Sequence, residues 1–278
     1  MARRVAVLLL VLLTFHVPAF PQGSASNVRP IVVQGAMRSE TEKLTGRLEN
    51  VSIEKVGGWT FWRGTIDGYP VIVSRTLKGM TYAAAATAIA IQRYSPIAII
   101  NQGTAGGYEP NLHLYDIILG TRAVNLGAFK TPYRPAGGGS STLDWVPLNL
   151  LFEGSSANDS SRKVAQFPAD SALLSVARST AHLYLRGRVL EGVIGSADMW
   201  NDEIDRIELF NKKYGVTIEE MEAASVAQIS GLFHVPFLGI RVVSDNTTNG
   251  EKFDLKTGEA CEDFVFQVVK AYVAALMR

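Results

Sequence analysis

The sequence is poor in cysteine and histidine. Among 278 residues there is one cysteine, Cys261, and four histidines, at positions 16, 113, 182 and 234. A single cysteine excludes an intrachain disulfide, and its place in a late helical pattern favours a packed thiol over a nucleophile. The scattered histidines lack the spacing of metal ligands. We therefore expect neither a metal site nor a disulfide framework.

The chain also lacks a strong excess of charge and several catalytic signatures. The formal net charge is +1, which gives no electrostatic reason to expect nucleic acid or an anionic membrane as partner. There is no G-x-S-x-G of a serine hydrolase, no G-x-G-x-x-G and no P-loop. With 47% hydrophobic residues the chain can bury a large core. A small, roughly neutral ligand fits this composition better than a macromolecule.

A long apolar run stands at the N-terminus. In "MARRVAVLLLVLLTFHVPAF" two arginines precede the apolar stretch from Val5 to Phe15. The stretch is short for a transmembrane helix, and its basic start is typical of a secretory signal, with Ala19 and Ala25 as candidate cleavage positions. We predict a signal peptide over residues 1–25, one domain over 26–278, and a secreted or periplasmic protein. An uncleaved anchor is the alternative.

Short apolar runs then alternate with helical patterns. "RPIVVQGAM" predicts a buried strand over Ile31–Gln34, and "SETEKLTGRLEN" predicts a helix with Ser39 as its N-cap. "DGYP" joins two strand-like runs and indicates a hairpin. "MTYAAAATAIAIQRY" predicts a buried helix, and the C-terminal "EACEDFVFQVVKAYVAALMR" an amphipathic one. "SPIAIINQGTAGG" predicts a strand that ends in a tight turn at Gly103, Gly106 and Gly107.

This alternation predicts an α/β fold. We expect a single three-layer domain, with a central mixed β-sheet flanked by helices. The segment from Gly137 to Asn158 has little regular pattern, so we expect a surface excursion that acts as a lid or a contact surface.

Acidic residues follow three of the predicted strands. Because ligands of open α/β sheets bind beyond the carboxyl ends of strands, Glu40, Glu222 and Asp245 are candidates for one site. Each also has a simpler interpretation. Glu40 and Glu222 suit the first turn of a helix, where the dipole favours acids, and Asp245 suits a turn or N-cap.

Five segments then carry a resemblance to a known family. They are "GAMRSE", "TLKG", "INQGTAGG", "SADMWN" and "EEMEAAS…RVVSD", in this order. From about Pro30 to the C-terminus the chain resembles the methylthioadenosine/S-adenosylhomocysteine nucleosidases of the nucleoside phosphorylase/nucleosidase superfamily. The resemblance implies one α/β domain, usually a homodimer, that needs no cofactor. It implies hydrolysis of the N-glycosidic bond of methylthioadenosine, S-adenosylhomocysteine or an adenosine-like purine nucleoside.

The resemblance also assigns roles to the acids. Glu40 matches the glutamate that positions and activates the attacking water, and Asp245 matches the aspartate that carries the proton for purine N7. Glu222 matches the glutamate that binds the ribose hydroxyls, and Met221 is expected to pack on the ribose. General acid–base groups of this kind contribute roughly 100- to 10,000-fold each.

Further substrate-binding residues follow from the same match. Trp200 stands where the family has a phenylalanine that stacks on the base, and Asn201 replaces an apolar residue whose backbone faces the purine. Thr76 stands where the family has serine. Ala105 and Gly106, in the glycine-rich segment, are expected to bring backbone close to the ligand. The changes at Trp200 and Asn201 leave adenosine and inosine open as substrates.

Other functions stay open at this point. In related phosphorylases an arginine stands where this chain has Asn101, which favours water over phosphate as nucleophile, although Arg38 and Arg75 are cations that could meet phosphate. A non-catalytic nucleoside-binding or storage-type protein is a further alternative, against which the full set of acids argues. Around Met221, we expect Glu220 to be a supporting neighbour and Glu219 a solvated charge.

A glycosylation sequon adjoins the predicted site. Three sequons occur, at Asn50, Asn158 and Asn246. Because Asn246 follows Asp245, a glycan there would obstruct the site, and we expect Asn246 to be unmodified in a working enzyme.

Overall fold

A computed structural model describes residues 28–151 and 163–277 of the chain. The predicted signal peptide over residues 1–25 lies outside these ranges, as does part of the predicted Gly137–Asn158 excursion. No helix within the described ranges is long and apolar enough to cross a membrane.

The described residues form strands and helices that alternate along most of the chain. The strands are β1 (Ile31–Gly35), β2 (Glu49–Val56), β3 (Trp59–Ile66), β4 (Tyr69–Arg75), β5 (Ala98–Gly107), β6 (Ile117–Asn125), β7 (Phe129–Lys130), β8 (Val146–Pro147), β9 (Leu150–Leu151), β10 (Lys163–Val164), β11 (Gln166–Pro168), β12 (Val189–Ser196), β13 (Val216–Glu220) and β14 (Phe237–Asp245). The α-helices are α1 (Glu42–Thr45), α2 (Met80–Tyr94), α3 (Ser171–Ser179), α4 (Ile204–Tyr214), α5 (Ala223–Leu232) and α6 (Thr257–Leu276). Short 3-10 turns cover Arg38–Glu40, Thr142–Asp144 and Ala181–Leu183.

Ten strands form one mixed sheet in the order β11-β6-β12-β13-β5-β1-β4-β3-β2, and β14 joins it by pairing with both β5 and β6. Strand β5 is ten residues long, so its first part pairs with β1 and its end pairs with β13. The strands β5, β14, β6, β12 and β13 therefore close into a ring. The predicted α/β fold with a mixed central sheet is confirmed. The three-layer description is incomplete, because it omits this closure.

Helices cover both faces of the sheet. Helix α6 buries Cys261, Phe264 and Val268 on one stripe, at the spacing of an amphipathic helix. On the other face α2 buries small residues, among them Ala83 and Ala90, and packs against α5. Cys261 is fully buried, so the predicted packed cysteine is confirmed, and burial raises the pKa of its thiol to about 12.

Two local predictions are confirmed and one is wrong. The Ala-rich helix is α2, and the "DGYP" hairpin joins β3 to β4 in antiparallel register. The helix predicted from Ser39 is wrong, because Ser39 lies in a 3-10 turn, α1 has only four residues and β2 begins at Glu49. The turn is held by the Glu40 carboxylate, which accepts hydrogen bonds from the backbone N–H groups of Ala36 and Met37.

The predicted tight turn after the central apolar strand is also wrong. Gly103, Gly106 and Gly107 lie inside β5, which continues through them. A local rule treats clustered glycines as a turn because glycine weakens a strand. In β5, neighbouring side chains leave too little room for a Cβ atom at these three positions, so glycine is required.

Candidate active site

Three acids from distant parts of the chain line one cavity. Glu40 ends the 3-10 turn after β1, Glu222 lies between β13 and α5, and Asp245 is the last residue of β14. Each therefore follows or ends a strand at the same edge of the sheet, where α/β folds place ligand sites. Central strand β5 forms the floor between them, with Thr104, Ala105 and Gly106 as lining residues.

Glu40 is buried and tightly held. Its Oε2 accepts the backbone N–H groups of Ala36 at 2.9 Å and Met37 at 3.0 Å. Its Oε1 accepts both the backbone N–H and the hydroxyl of Thr104, each at 2.9 Å. Four donors to one carboxylate fix its orientation toward the cavity. Sequence reasoning missed Thr104, although it lies inside the glycine-rich segment.

Glycines in β5 make room for the carboxylates. A Cβ atom at Gly103 would lie 2.8 Å from Oε1 of Glu40, and one at Gly106 would lie 3.1 Å from Oδ2 of Asp245. Both distances are shorter than ordinary van der Waals contact. These two glycines therefore allow the carboxylates of Glu40 and Asp245 to lie close to β5.

Asp245 is partly buried at the opposite end of this stretch of β5. The hydroxyl of Ser244 donates to its Oδ1 at 2.7 Å. Burial raises the pKa of Asp245 and the nearby Asp202 adds to the rise, while the bond from Ser244 opposes it. A carboxyl with a raised pKa is better suited to general acid catalysis than an ordinary aspartate.

Glu222 faces the cavity beside Met221. The backbone N–H of Gly79 donates to its Oε1 at 2.7 Å. Burial, together with the carboxylates of Glu220 and Glu40, raises the pKa of Glu222. Its side chain is 7% exposed, which leaves it open only to the cavity.

Glu220 supports this arrangement, as the sequence predicted. Its carboxylate accepts the backbone N–H groups of Glu222 and Ala223 at 3.0 Å, and so caps the start of α5. It also forms an ion pair with Arg241, which is 1% exposed and hydrogen-bonded to Asn101. Asn101 therefore helps to hold the buried ion pair of Glu220 and Arg241 in place.

Aromatic and polar groups line the rest of the cavity. Trp200 is 60% exposed and packs edge-to-face on Phe253, with ring centroids 5.6 Å apart. The Nδ2 of Asn201 donates to the hydroxyl of Tyr108 at 2.8 Å. Trp200, Asn201 and Met221 thus lie together at the cavity, as do Tyr108 and Phe253, which sequence reasoning did not single out.

The prediction that Glu219 is a solvated charge is wrong. Glu219 is 7% exposed, lines the cavity and accepts a hydrogen bond from the hydroxyl of Tyr108. Burial, and secondarily the charge of Glu220, raise the pKa of Glu219 to about 8. The two glutamates alternate along β13, so they point to opposite faces of that strand.

Other candidate residues lie outside the cavity lining. Thr76 is fully buried, and its hydroxyl donates to the carbonyl oxygens of Gly35 and Leu77 at 3.3 and 3.1 Å. The exposed Arg38 pairs with Glu42. Arg75 stacks over the ring of Trp62, with 5.0 Å from its guanidinium carbon to the ring centroid, and donates to the hydroxyl of Thr41.

Across residues 28–151 and 163–277, no group of three or more His, Cys, Asp or Glu side chains could hold a metal ion.

The sequon asparagine Asn246 is fully buried. Its Nδ2 donates to the carbonyl oxygens of Glu109 at 2.9 Å and Leu112 at 2.8 Å. These bonds hold the loop after β14 and leave the amide nitrogen without access for a glycan in the folded chain.

A ring-closed mixed sheet with acids gathered at the ends of its strands defines the class of protein. The chain belongs to the phosphorylase superfamily, whose family model matches residues 30–274.

Several relatives of the chain carry a more specific name than that of the superfamily. A 5′-methylthioadenosine/S-adenosylhomocysteine nucleosidase of Bacillus thuringiensis (strain Al Hakam) is 30% identical over 220 residues, 77% of this chain and 85% of the relative. A protein of the same name from Tolumonas auensis is 31% identical over 218 residues, with coverage of 77% and 85%. The crystal structure of the Neisseria meningitidis nucleosidase of that name, in complex with methylthio-immucillin-A, is 26% identical and matches with a TM-score of 0.70. That match covers 87% of this chain and 99% of the Neisseria chain.

Proposed function

We propose that this chain hydrolyses the N-glycosidic bond of a purine nucleoside and releases the base and a ribose product. The observation that carries the proposal is the meeting of Glu40, Glu222 and Asp245 at one cavity. The names of the relatives, which are methylthioadenosine/S-adenosylhomocysteine nucleosidases, support it. We propose methylthioadenosine, S-adenosylhomocysteine or a similar adenine nucleoside as the substrate.

The chemistry divides among the three acids. Breaking the bond gives a cation-like sugar and a purine anion, so the base needs a proton, and Asp245 supplies it to N7. Glu40 takes a proton from the attacking water, as one of two carboxyls that flank the reacting carbon in the manner of inverting glycosidases. Glu222 binds the ribose hydroxyls and favours the developing positive charge. Met221 packs on the sugar, and Trp200 packs on the base.

Water is the nucleophile that the surrounding charges favour. Among the described residues that line the cavity, Lys78 is the only lysine or arginine. The buried Arg241 lies behind the cavity in its pair with Glu220. Phosphate binding normally recruits several cationic donors, of which bidentate arginine is the strongest.

Base release measured with and without phosphate tests this proposal. We expect the purified protein to release adenine from methylthioadenosine or adenosine at the same rate in phosphate-free buffer as in millimolar phosphate. A strict requirement for phosphate would contradict hydrolysis and identify a phosphorylase. Absence of base release from every purine nucleoside would instead support a nucleoside-binding or storage-type protein.

We also propose that the chain is exported and loses its signal peptide. The basic start and apolar run of residues 1–25 support this proposal, since they match the n-region and h-region of a secretory signal. N-terminal sequencing of the protein from the extracytoplasmic fraction tests it. A full-length N-terminus recovered only from the cytoplasm would contradict it.

A homodimer is the third proposal. Exposed apolar side chains at the cavity rim support it, because such patches mark protein interfaces: Trp200, Phe253 and Leu255 are 60%, 43% and 51% exposed. Sedimentation at micromolar concentration should give twice the mass of the chain. A monomer at that concentration would contradict the dimer.

A further inference from the structure

Lys78 brings an unpaired positive charge to the cavity. Its side chain lines the cavity and is exposed, and it forms no hydrogen bond or ion pair with any residue in the described ranges. Every other charged residue of the lining is an acid: Glu40, Glu219, Glu220, Glu222 and Asp245. Because none of these acids pairs with Lys78, its ammonium group is left for a ligand.

The loop that carries Lys78 is held on both sides. Before it, the buried Thr76 donates its backbone N–H to the carbonyl oxygen of Gly35 at 2.9 Å. After it, the buried Gly79 donates its backbone N–H to Oε1 of Glu222 at 2.7 Å. The side chain of Lys78 is flexible, but the point at which it joins the backbone is fixed beside Glu222.

The residue before Lys78 adopts a strained conformation. Leu77 has a φ of 67°, in the left-handed region that a bulky side chain rarely adopts. Its carbonyl oxygen accepts the hydroxyl of Thr76 at 3.1 Å, which holds it in this conformation. Strain of this kind persists where the surroundings over-determine the backbone, and it is common at ligand sites. Lys78 thus stands in a loop that is built for one position.

Lys78 lies beside the sugar and away from the base. The strand order β14-β5-β1-β4 separates its loop from Asp245 by three strand spacings, about 14 Å. Its neighbour Gly79 contacts Glu222, the proposed partner of the ribose hydroxyls. A nucleoside with its base at Asp245 and its 2′ and 3′ hydroxyls at Glu222 has one substituent left, which is carried by C5′ and joins the ring next to C3′. Lys78 therefore faces this substituent.

Resting on the proposed function, we propose that Lys78 is a specificity-determining residue that binds an anionic group, a carboxylate or a phosphate, on the 5′ substituent of the nucleoside. The acids of the lining repel such a group, and Lys78 is the one charged residue of the described lining that attracts it. An ammonium forms charge-assisted hydrogen bonds with either anion.

This contact ranks the proposed substrates. S-adenosylhomocysteine carries a carboxylate on its 5′ substituent, whereas the 5′ methylthio group of methylthioadenosine is uncharged and the 5′ group of adenosine is a neutral hydroxyl. A nucleoside with an acidic 5′ substituent should therefore be preferred to both uncharged nucleosides.

A matched pair of substrates gives the first test, which needs no variant. One is adenosine with a 2-carboxyethylthio group in place of the 5′ hydroxyl, and the other is its carboxamide, which has the same shape without the charge. Wild type should show a kcat/KM for the carboxylate about 3- to 30-fold above that for the amide. Adenosine 5′-monophosphate against adenosine is the phosphate arm, and the larger of the two preferences identifies the anion.

Variants of Lys78 give the second test. Lys78→Met keeps the length of the stem without the charge, so it should remove the preference for the acidic substrate, mainly through KM, and keep the amide within about 2-fold of wild type. Lys78→Arg should retain the preference. Lys55→Met, an exposed change on β2, is the matched control and should alter neither value. Raising the salt concentration from 50 to 500 mM should narrow the preference in wild type and leave the rate with the amide unchanged.

Two results overturn this inference and leave the nucleosidase in place. One is an equal kcat/KM of wild type for acidic and neutral members of both pairs. The other is an equal loss in Lys78→Met with the carboxylate and with the amide, which would give Lys78 a general role in the cavity. Failure of wild type to release a base from any nucleoside overturns the proposed function, and the role of Lys78 with it.

Discussion

At the scale of single residues, the surroundings of each carboxyl group determine the chemical task that it suits. Glu40 is fixed by four donors, whereas Asp245 accepts the hydroxyl of Ser244 and burial raises its pKa. Two acids with such different surroundings suit two different tasks, one at the water and one at the base.

Replacing the proton donor provides a direct test at this scale. Asp245→Asn keeps the size of the side chain and can still accept a bond from Ser244, but it cannot deliver a proton to N7. We expect kcat to fall about 100- to 10,000-fold while KM changes little. Asp205→Asn, an exposed change in the first turn of α4, is the control and should keep activity near wild type. Equal losses in both variants would point to general disruption of this corner.

Prediction from sequence succeeds for some residues and fails for others for a physical reason. Glu40, Glu222 and Asp245 were placed together because each follows a strand and matches a family segment. Thr104 and Glu219 were missed because their roles depend on contacts across the sheet. Glu219 reaches the cavity through its pairing with Gly106, more than a hundred residues away in the chain, and no local pattern specifies that register.

Among the elements, β5 contributes most to the site. It pairs with β1, β13 and β14, and it carries glycines where carboxylates approach. Helices α2 and α6 were predictable, because their composition and periodicity are local properties. The course of β5 through its glycines was not, since the same letters are typical of a turn and only the three-dimensional neighbours explain them.

Adding one methyl group to β5 should disturb catalysis more than folding. In Gly106→Ala the new Cβ would lie 3.1 Å from Oδ2 of Asp245, so the carboxyl must shift by a few tenths of an ångström. We expect kcat/KM to fall about 10-fold or more and the free energy of unfolding to change by about 1 kcal/mol or less. Gly58→Ala, whose Cβ meets nothing within 4 Å, is the control. Unchanged activity in Gly106→Ala would remove the spacing role of this glycine.

For the whole molecule, the buried acids predict how stability depends on pH. Folding raises the pKa of Glu219 to about 8 and of Glu262 to about 7, from 4.5. Between about pH 4.5 and 8 the folded chain therefore binds more protons than the unfolded chain, and the free energy of unfolding falls as pH rises. We expect a loss of about 1 kcal/mol or more between pH 5 and pH 8.

Urea denaturation at several pH values measures this loss. Glu262→Gln retains an acceptor for the backbone N–H of Leu44 but cannot ionise, so its stability curve should be flatter between pH 5 and pH 7. Glu259→Gln, on the exposed side of the same helix, should follow the wild-type curve. Stability that rises over this range would contradict the assignment of protonated buried acids.

The closed ring of five strands has a consequence for biosynthesis. It is completed by Phe237–Asp245, and a hydrogen bond from Arg241 to the carbonyl of Asn101 joins residues 140 positions apart. Contacts this distant in the chain form late in folding. A nascent polypeptide therefore has no complete catalytic pocket until nearly all of it has been made, and a product truncated before β14 lacks both Asp245 and the strand that closes the ring.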